Sequence, residues 1–209
     1  MIRLNKLSKK YGDDIIFDDF DLVIEKGQFI CITGASGRGK STLLNIIGLI
    51  DPDYQGEVQI NGINISQLKG EKKQKFIREN INYLFQNYAL VDDETVEYNL
   101  KIALKYRKLS STEKSDIIQS VLEDVNLADK KDKKIHTLSG GEQQRISMAR
   151  SLIKTGNILL ADEPTGNLDS LNRDIILSLF RKYHNNDKII IIASHDKFVI
   201  DYCDFVFNL

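Results

Sequence analysis

A single short stretch, GASGRGKST from Gly34 to Thr42, constrains this chain more than any other. It fits the pattern G-x-x-x-x-G-K-[ST], whose glycines let the backbone curl so that successive N–H groups point into one anion-binding concavity. We expect Lys40 to reach the β- and γ-phosphates of a nucleotide and the Ser41 hydroxyl to ligate Mg²⁺. A β-prone apolar segment (28–33) precedes the loop and a helical pattern follows it, so the sequence predicts a nucleotide-binding strand–loop–helix unit. The residues expected around the phosphates are Gly34, Ala35, Ser36, Gly37, Arg38, Gly39, Lys40, Ser41 and Thr42.

Length and composition narrow the class of protein. The 209 residues are enough for one domain with its own core. The formal net charge is −1, from 29 basic and 30 acidic residues, which gives no electrostatic argument for a nucleic-acid partner. No signal peptide or membrane-spanning run is evident, and two well-separated cysteines, Cys31 and Cys203, favour a reducing compartment. We therefore expect a cytoplasmic chain in which Cys31 is a buried free thiol.

Aliphatic segments alternate with helical patterns along most of the chain, which is typical of a parallel α/β sheet. Residues 1–33 instead alternate apolar and polar positions, which indicates antiparallel strands, and the stretch 87–156 has helical patterns. The sequence thus predicts one α/β domain over 1–209. Its core, at 1–86 and 157–209, has a mixed, mainly parallel sheet and an N-terminal antiparallel β-subdomain, and a helical subdomain covers about 87–156. Strands are predicted at 28–33, 57–60, 81–85, 158–161, 188–193 and 205–209.

Polar side chains stand where several predicted strands end, and the carboxyl ends of parallel strands lie beside a phosphate loop of this kind. Asp162 can hold Mg²⁺ there, directly or through water, and Glu163 can polarise an attacking water as general base. A helix-capping pair is the alternative for these two carboxylates. Gln86 and His195 end two further strands, and for His195 we favour a contact with the γ-phosphate over a structural role.

Two further features carry open alternatives. Ser139 and Glu142 form a capping box around Gly140 and Gly141, so either the helix N-terminus binds an anion or the motif is a plain cap. Cap chemistry does not explain why both middle positions lack side chains, and bare backbone indicates close approach by another group. Tyr11, in a glycine-containing loop, either stacks on a base or is an ordinary surface tyrosine.

Together these motifs resemble those of the nucleotide-binding subunits of ATP-binding-cassette (ABC) transporters, and the resemblance covers the whole chain. GASGRGKST is similar to the family's Walker A motif, NILLADEP (157–164) to its Walker B motif, and LSGGEQQR (138–145) to its signature motif. The resemblance implies that Tyr11 stacks on adenine, that His195 is the switch histidine and that 166–169 is the D-loop. It also implies that Gln86, in the Q-loop, senses Mg²⁺ and couples to a permease.

In this family two ATP molecules lie between two head-to-tail subunits, so the resemblance implies an ATP-dependent homodimer. Each ATP is held by one subunit's phosphate loop and by the signature motif of the other. The signature residues that would serve the partner's ATP are Ser139, Gly140, Gly141 and Glu142. Catalysis would rest on Glu163, His195 and Gln86, and the Mg²⁺ site on Ser41, Gln86 and Asp162.

The string ADEPTGNLDS and the short length are similar to the macrolide-exporter and lipoprotein-release class of the family. Within that class, YLFQNYALVDDETVEYNL resembles the ATPases of lactococcin-type bacteriocin exporters. The resemblance implies an ATPase on the inner face of the cell membrane, bound to a separate integral membrane permease, with or without an accessory extracytoplasmic protein. The exported substrate would be a peptide, a bacteriocin, a drug or a lipid-linked molecule.

Two residues depart from the family pattern. Arg38 stands where a small residue is usual, and either contacts phosphate or the opposite subunit or points to solvent. Tyr98 replaces the usual glutamate of a T-V-x-E-N segment, although Glu97 keeps a negative charge in that helix's first turn.

Three other functions compete with this one. A cell-division ATPase of the same class, whose membrane partner transmits force without transport, is the alternative that stays open. DNA-repair and chromosome ATPases insert long coiled coils, but no sustained heptads lie between Lys40 and Ser139. A simple phosphate-loop kinase would lack LSGGE.

Overall fold

The structure is a computed structural model that describes residues 1–166 and 168–209. In chain order the strands are β1 (Ile2–Tyr11), β2 (Asp14–Ile24), β3 (Phe29–Thr33), β4 (Gln55–Ile60), β5 (Ile63–Asn64), β6 (Ile81–Leu84), β7 (Ile158–Asp162), β8 (Ile189–Ala193) and β9 (Phe205–Asn208). The α-helices are α1 (Lys40–Ile47), α2 (Gly70–Asn80), α3 (Val96–Ala103), α4 (Ser111–Asp124), α5 (Gly140–Leu152), α6 (Ser170–Tyr183) and α7 (Lys197–Tyr202). Across these residues no helix is both long enough and apolar enough to cross a bilayer.

The chain forms two compact units. The first comprises Met1–Tyr83, Gly156–Glu163 and His184–Leu209, and the second comprises Leu84–Thr155 and Pro164–Tyr183. Both sheets belong essentially to the first unit, whereas α3, α4, α5 and α6 belong to the second.

The first unit contains an antiparallel sheet of four strands in the order β2-β1-β4-β5. β1 pairs antiparallel with β2 on one side and with β4 on the other. Asn61 and Gly62 join β4 to β5 with φ angles of 51° and 78°, as expected for an Asn-Gly hairpin turn. The antiparallel strands predicted for the start of the chain are confirmed, and they form a sheet of their own.

The other sheet of the first unit has five strands in the order β6-β7-β8-β3-β9. Parallel pairing links β7 to β8, β8 to β3 and β3 to β9. Every residue of β8 is buried, and β3 and β7 are buried up to their last residue, as expected for strands covered on both faces. Cys31, in β3, is a buried free thiol, as predicted. Because these strands run parallel, the residues that follow β3, β7 and β8 lie at one edge of the sheet.

Helix α1 connects the phosphate loop to the core of the first unit. It buries Leu43, Leu44, Ile46 and Ile47 and packs against β7 and β8. Its first turn therefore lies at the same sheet edge as the residues that end β7. The short helix α7, which the sequence patterns did not predict, begins after Asp196, whose side chain accepts a hydrogen bond from the Phe198 N–H.

The second unit is helical, and α5 packs against α3, α4 and α6. The predicted capping box of Ser139 with Glu142 is present before α5, and a second complete box, of Ser110 with Glu113, precedes α4. Glu97 lies in the first turn of α3, as expected, and Tyr98 is 46% exposed. The signature segment is therefore the N-terminus of a helix fixed on three sides.

Candidate nucleotide-binding site

The phosphate loop joins the end of β3 to α1 and depends on glycine backbone conformations. Gly34, Gly37 and Gly39 have φ angles of 145°, 81° and 93°, values that residues with a side chain rarely adopt. At Gly39, the N-cap of α1, a Cβ atom would also lie 2.5 Å from a methyl carbon of Ile16. Ala35, Ser36, Gly37 and Arg38 are all exposed. The loop thus presents bare, accessible backbone, as a phosphate-binding nest requires.

Two side chains of α1 face the loop and the end of β7. The Lys40 ammonium donates hydrogen bonds to the carbonyl oxygens of Gly34 at 2.9 Å and Ala35 at 3.2 Å. The Ser41 hydroxyl donates to the Asp162 carboxylate at 3.0 Å. Hydroxyl and carboxylate oxygens are ligands that Mg²⁺ accepts, usually together with substrate phosphates and water. The predicted pair of protein ligands, Ser41 and Asp162, is therefore brought together.

Asp162 is in a position that disfavours its charge. Burial raises the pKa of the Asp162 carboxyl, and the neighbouring Glu163 carboxylate raises it further. The hydrogen bond from Ser41 and the charge of Lys40 oppose these effects, but the pKa remains above its ordinary value. A divalent cation beside this carboxylate would supply the missing compensation, so the donor set fits Mg²⁺ in charge as well as in atom type.

Glu163 is held at the edge of the sheet, and its carboxylate is bonded at both oxygens. Its backbone has a φ angle of 44°, unusual for a residue with a side chain, and its N–H donates to the Ala193 carbonyl at 2.9 Å. Ser194 donates to one carboxylate oxygen at 3.2 Å, and His195 Nδ1 lies 2.8 Å from the other. The Glu163 side chain is only 16% exposed, whereas that of His195 is 74% exposed. His195 can therefore turn away towards a ligand while Glu163 stays in place.

Tyr11 lies at the end of β1, 49% exposed, in a network that the sequence did not predict. Its hydroxyl donates to the Asp51 carboxylate at 2.7 Å, and the Lys9 ammonium lies 4.5 Å from its ring centroid. One sequence signal for Lys9 was available. In β1 the buried positions include Leu7 and Lys9, so the lysine occupies an inward position where an apolar residue is usual.

The signature residues lie in the second unit, at the N-terminus of α5. The Ser139 hydroxyl accepts from the Glu142 N–H at 3.3 Å, and the Glu142 carboxylate accepts from the Ser139 N–H at 2.8 Å. A Cβ atom on Gly141 would lie 2.9 Å from the side-chain amide of Asn172, whereas one on Gly140 would meet only the Tyr88 hydroxyl oxygen, at 3.5 Å. Packing within this unit therefore accounts for the missing side chain at Gly141 but not at Gly140.

The remaining predicted site residues also belong to the second unit. Gln86 is exposed in the turn that follows β6. In the predicted D-loop, Gly166 is exposed and the Asp169 carboxylate accepts hydrogen bonds from the backbone N–H and the side-chain amide of Asn172. Asn167, the second residue of that loop, lies outside the described residues. The first unit, by contrast, contains the phosphate loop together with Lys40, Ser41, Thr42, Asp162, Glu163, His195 and Tyr11.

Comparison with known proteins identifies the family to which the chain is similar. The sequence profile described as "ABC transporter" matches residues 17–166, well over half of the chain. The chain is 38% identical over 196 residues to the macrolide export ATP-binding/permease protein MacB of Campylobacter jejuni subsp. jejuni, covering 94% of this chain and 31% of that protein. To the protein of the same name from Vibrio parahaemolyticus it is 33% identical over 213 residues, covering 100% of this chain and 33% of that protein. The chain therefore spans about a third of the length of these relatives.

Solved structures give the same fold over the full chain. The dimeric ATP-binding cassette MJ0796, in a post-hydrolysis state bound to ADP and Pi, has a TM-score of 0.91 at 34% identity and covers 100% of this chain and 94% of its own. A second dimeric structure of MJ0796, described as a bacterial ABC transporter cassette, has a TM-score of 0.92 at 35% identity.

Proposed function

Because the chain belongs to the ABC transporter family, we propose that it is the ATP-binding and ATP-hydrolysing subunit of an exporter whose permease is a separate membrane protein. The observation that carries the proposal is the 3.0 Å hydrogen bond between Ser41 and Asp162, which joins the phosphate loop to the end of β7. It sets a metal-binding pair directly beside Lys40 and Glu163.

The phosphate loop binds the triphosphate through its backbone N–H groups and Lys40. In the structure the Lys40 ammonium is bonded to the carbonyl oxygens of Gly34 and Ala35. On nucleotide binding it exchanges these neutral acceptors for charged phosphate oxygens, which form stronger hydrogen bonds. Ser41 and Asp162 hold Mg²⁺, which when bound offsets negative charge on the phosphates. Gln86 is assigned to the same metal and to the permease through the family resemblance.

Glu163 is the general base, and its neighbours prepare it for that role. One oxygen stays bonded to the buried Ser194, which fixes the carboxylate. The other is bonded to the exposed His195, which turns to the γ-phosphate and so frees that oxygen for the attacking water. A positioned base of this kind contributes roughly 10²–10⁴-fold to hydrolysis.

The signature helix serves the ATP of a second copy of the chain. Ser139 takes up the N–H groups of Glu142 and Gln143, through its hydroxyl and its carbonyl. Within the described residues this leaves the N–H groups of Gly140 and Gly141 as the donors available at the start of α5. Backbone donors at a helix N-terminus favour an anion, and the dimeric cassettes similar to this chain support a second copy as its source.

The permease and the exported substrate are proposed from the family resemblance and the relatives' names, and not from the geometry of the site. Relatives that combine ATPase and permease in one protein, named for macrolide export, are about three times as long as this chain. Their names support a membrane permease as the partner of this ATPase, and we place the ATPase on the cytoplasmic face of the membrane. The substrate class proposed is a peptide, bacteriocin, drug or lipid-linked molecule.

The test is the identity of the membrane partner. A tagged chain expressed in its own organism is solubilised in mild detergent and purified, and the co-purifying proteins are identified by mass spectrometry. A polytopic membrane protein that stimulates the chain's ATPase activity in proteoliposomes, and whose deletion leaves a substrate inside the cell, supports export. A partner that stimulates hydrolysis while no substrate accumulates on deletion contradicts export and favours force transmission.

A further inference from the structure

Lys9 is a buried charge, and removing a charge from water has a free-energy cost that its neighbours must offset. Its side chain is 2% exposed, and its ammonium lies 3.0 Å from each oxygen of the Asp51 carboxylate. It also donates to the carbonyl oxygen of Asp53. Burying an ion pair is often no more stabilising than an apolar pair of the same volume. Stability alone therefore does not explain the pair, and its neighbours indicate what else it does.

Both members of the Lys9–Asp51 pair contact Tyr11. The Lys9 ammonium lies 4.5 Å from the Tyr11 ring centroid, a cation–π distance, and the Tyr11 hydroxyl donates to Asp51 at 2.7 Å. The Asp51 N–H in turn donates to the carbonyl oxygen of Asn45 in α1 at 3.1 Å. The ring is thus held across one face by Lys9 and at its hydroxyl by Asp51. Tyr11 remains 49% exposed, so its other face is open to a ligand.

The charge states of this network are stable at neutral pH. Burial alone would lower the pKa of Lys9, but the hydrogen bond and charge of Asp51 raise it above its ordinary value. Burial would raise the pKa of Asp51, but the hydrogen bonds from Tyr11, Lys9 and the Asp53 N–H lower it. The hydrogen bond to Asp51, with burial, raises the pKa of Tyr11, so its hydroxyl keeps the proton that it donates.

We propose that Lys9 and Asp51 are positioning residues, which lock the Tyr11 ring in the orientation that stacks on the base of bound ATP. The proposal rests on the nucleotide-binding function proposed above. A side chain fixed before binding loses little conformational entropy when the ligand arrives, so the locked ring binds the base more tightly. Because the Asp51 N–H is bonded to Asn45 of α1, the network also ties the ring to the helix that follows the phosphate loop.

The experiment separates the base from the phosphates. Isothermal titration measures the affinity of the full chain for Mg-ATP and for Mg-tripolyphosphate, which has no base. Lys9→Met is expected to weaken ATP binding roughly two- to thirty-fold, the range of one cation–π contact, and to leave tripolyphosphate binding unchanged. Lys10→Met is the matched control, because Lys10 is the next residue of β1 and is exposed. It should change neither affinity.

A double-mutant cycle distinguishes positioning from a general structural effect. If Lys9 acts through the ring, Lys9→Met should have no further effect on ATP affinity in a Tyr11→Ala background. Tyr11→Phe keeps the ring and its contact with Lys9 but loses the hydroxyl tether, so Asp51→Asn should weaken ATP binding less in Tyr11→Phe than in the wild type. The double variant Lys9→Met/Asp51→Asn removes both charges together and avoids leaving a carboxylate unpaired, so it serves if Lys9→Met alone does not fold.

Three outcomes overturn the inference. Lys9→Met and the double variant bind ATP like the wild type, or they lose ATP and tripolyphosphate equally, or their effect persists without the Tyr11 ring. Failure of the proposed function looks different. If the wild type binds neither ligand, nucleotide binding is wrong, and if Tyr11→Ala binds ATP normally, the base does not stack there; either result also removes the basis for a role of Lys9.

Discussion

At the scale of one residue, the predicted Mg²⁺ ligand Asp162 occupies a position that lowers the stability of the folded protein when its carboxyl is ionised. Its pKa in the folded chain lies above the ordinary value of 3.8, chiefly because the carboxyl is buried. The folded state therefore holds the proton more tightly than the unfolded chain does. The free energy of unfolding falls as the pH rises from 3.8 through the folded pKa, so at neutral pH the ionised Asp162 destabilises the protein when no Mg²⁺ is added.

Replacing Asp162 by asparagine should therefore stabilise the protein while impairing hydrolysis. Asparagine keeps an oxygen to accept the Ser41 hydroxyl, so the free energy of unfolding in urea, without Mg²⁺ or nucleotide, should rise at neutral pH by about 1 kcal/mol. The gain should shrink as the pH is lowered towards about 4, where the carboxyl regains its proton. Asp18→Asn, at an exposed position of β2, is the control and should change little. A variant less stable than the wild type at every pH would contradict this account of Asp162.

The assignment of Glu163 is tested by Glu163→Gln. The change keeps the size of the side chain and an oxygen to accept the Ser194 hydroxyl, but the amide cannot take a proton from water. ATP binding should be retained and the ATP-bound dimer should accumulate, while steady-state hydrolysis falls roughly 10²–10⁴-fold. Size-exclusion chromatography with ATP and a phosphate-release assay measure the two effects. Near-normal turnover by the purified variant would rule Glu163 out as the base.

At the scale of elements, α4 and α5 offer a matched pair, because each begins with a complete Ser–Glu capping box. Ser110→Ala and Ser139→Ala remove the same cap, and each should cost about 1 kcal/mol of stability. Only Ser139→Ala should also impair ATP-driven dimerisation and hydrolysis, because only α5 carries the signature motif. If the two variants lose activity in equal proportion to stability, the motif at Ser139 is a cap and nothing more.

Elements with local signals were predicted well, whereas those that depend on tertiary contacts were not. The capping box at Ser139 and the buried strands follow from local chemistry and lie close to the predicted positions. The box at Ser110 and the Asn61-Gly62 turn have local sequence signals of the same kind. A glycine shortly after a helical pattern commonly marks the end of the helix, but Gly156 is not the residue at which α5 ends. The helix ends at Leu152, and Gly156 lacks a side chain because a Cβ atom there would lie 2.7 Å from the backbone of Asn80.

For the candidate site, too, the sequence predicts the residues that have local signals and misses those that meet only in the fold. The phosphate loop and the polar ends of β7 and β8 follow from motif and strand pattern, because parallel strands bring their ends together. The Lys9–Asp51 pair was missed since its members are far apart in sequence and meet only in the fold. Gly141 shows the opposite limit, because its packing against Asn172 is a reason for glycine that the motif does not reveal.

At the scale of the whole molecule, the central question is whether two copies build each ATP site. Gly140 is the better position for a test than Gly141, since a side chain at Gly141 would collide with Asn172 in the same chain. An aspartate at Gly140 has room, and a carboxylate in the first turn favours the helix itself. Any loss of dimerisation in Gly140→Asp therefore reflects the contact with a second copy and not a clash within the chain.

In a two-copy site the carboxylate introduced by Gly140→Asp would face the partner's γ-phosphate, and two like charges about 4 Å apart at an effective dielectric constant of about 20 repel by about 4 kcal/mol. Gly140→Asp should thus bind ATP as a monomer through its own Lys40, yet neither dimerise nor hydrolyse. Mixing it with Lys40→Ala subunits gives a heterodimer in which one site pairs an intact Lys40 with an intact signature helix, while the other site carries both lesions. ATP should therefore drive more heterodimer than Gly140→Asp homodimer in size-exclusion runs, and the mixture should recover part of the hydrolysis that neither variant shows alone. If Gly140→Asp alone dimerises and hydrolyses ATP like the wild type, each chain completes its own site and the two-copy mechanism is wrong for this protein.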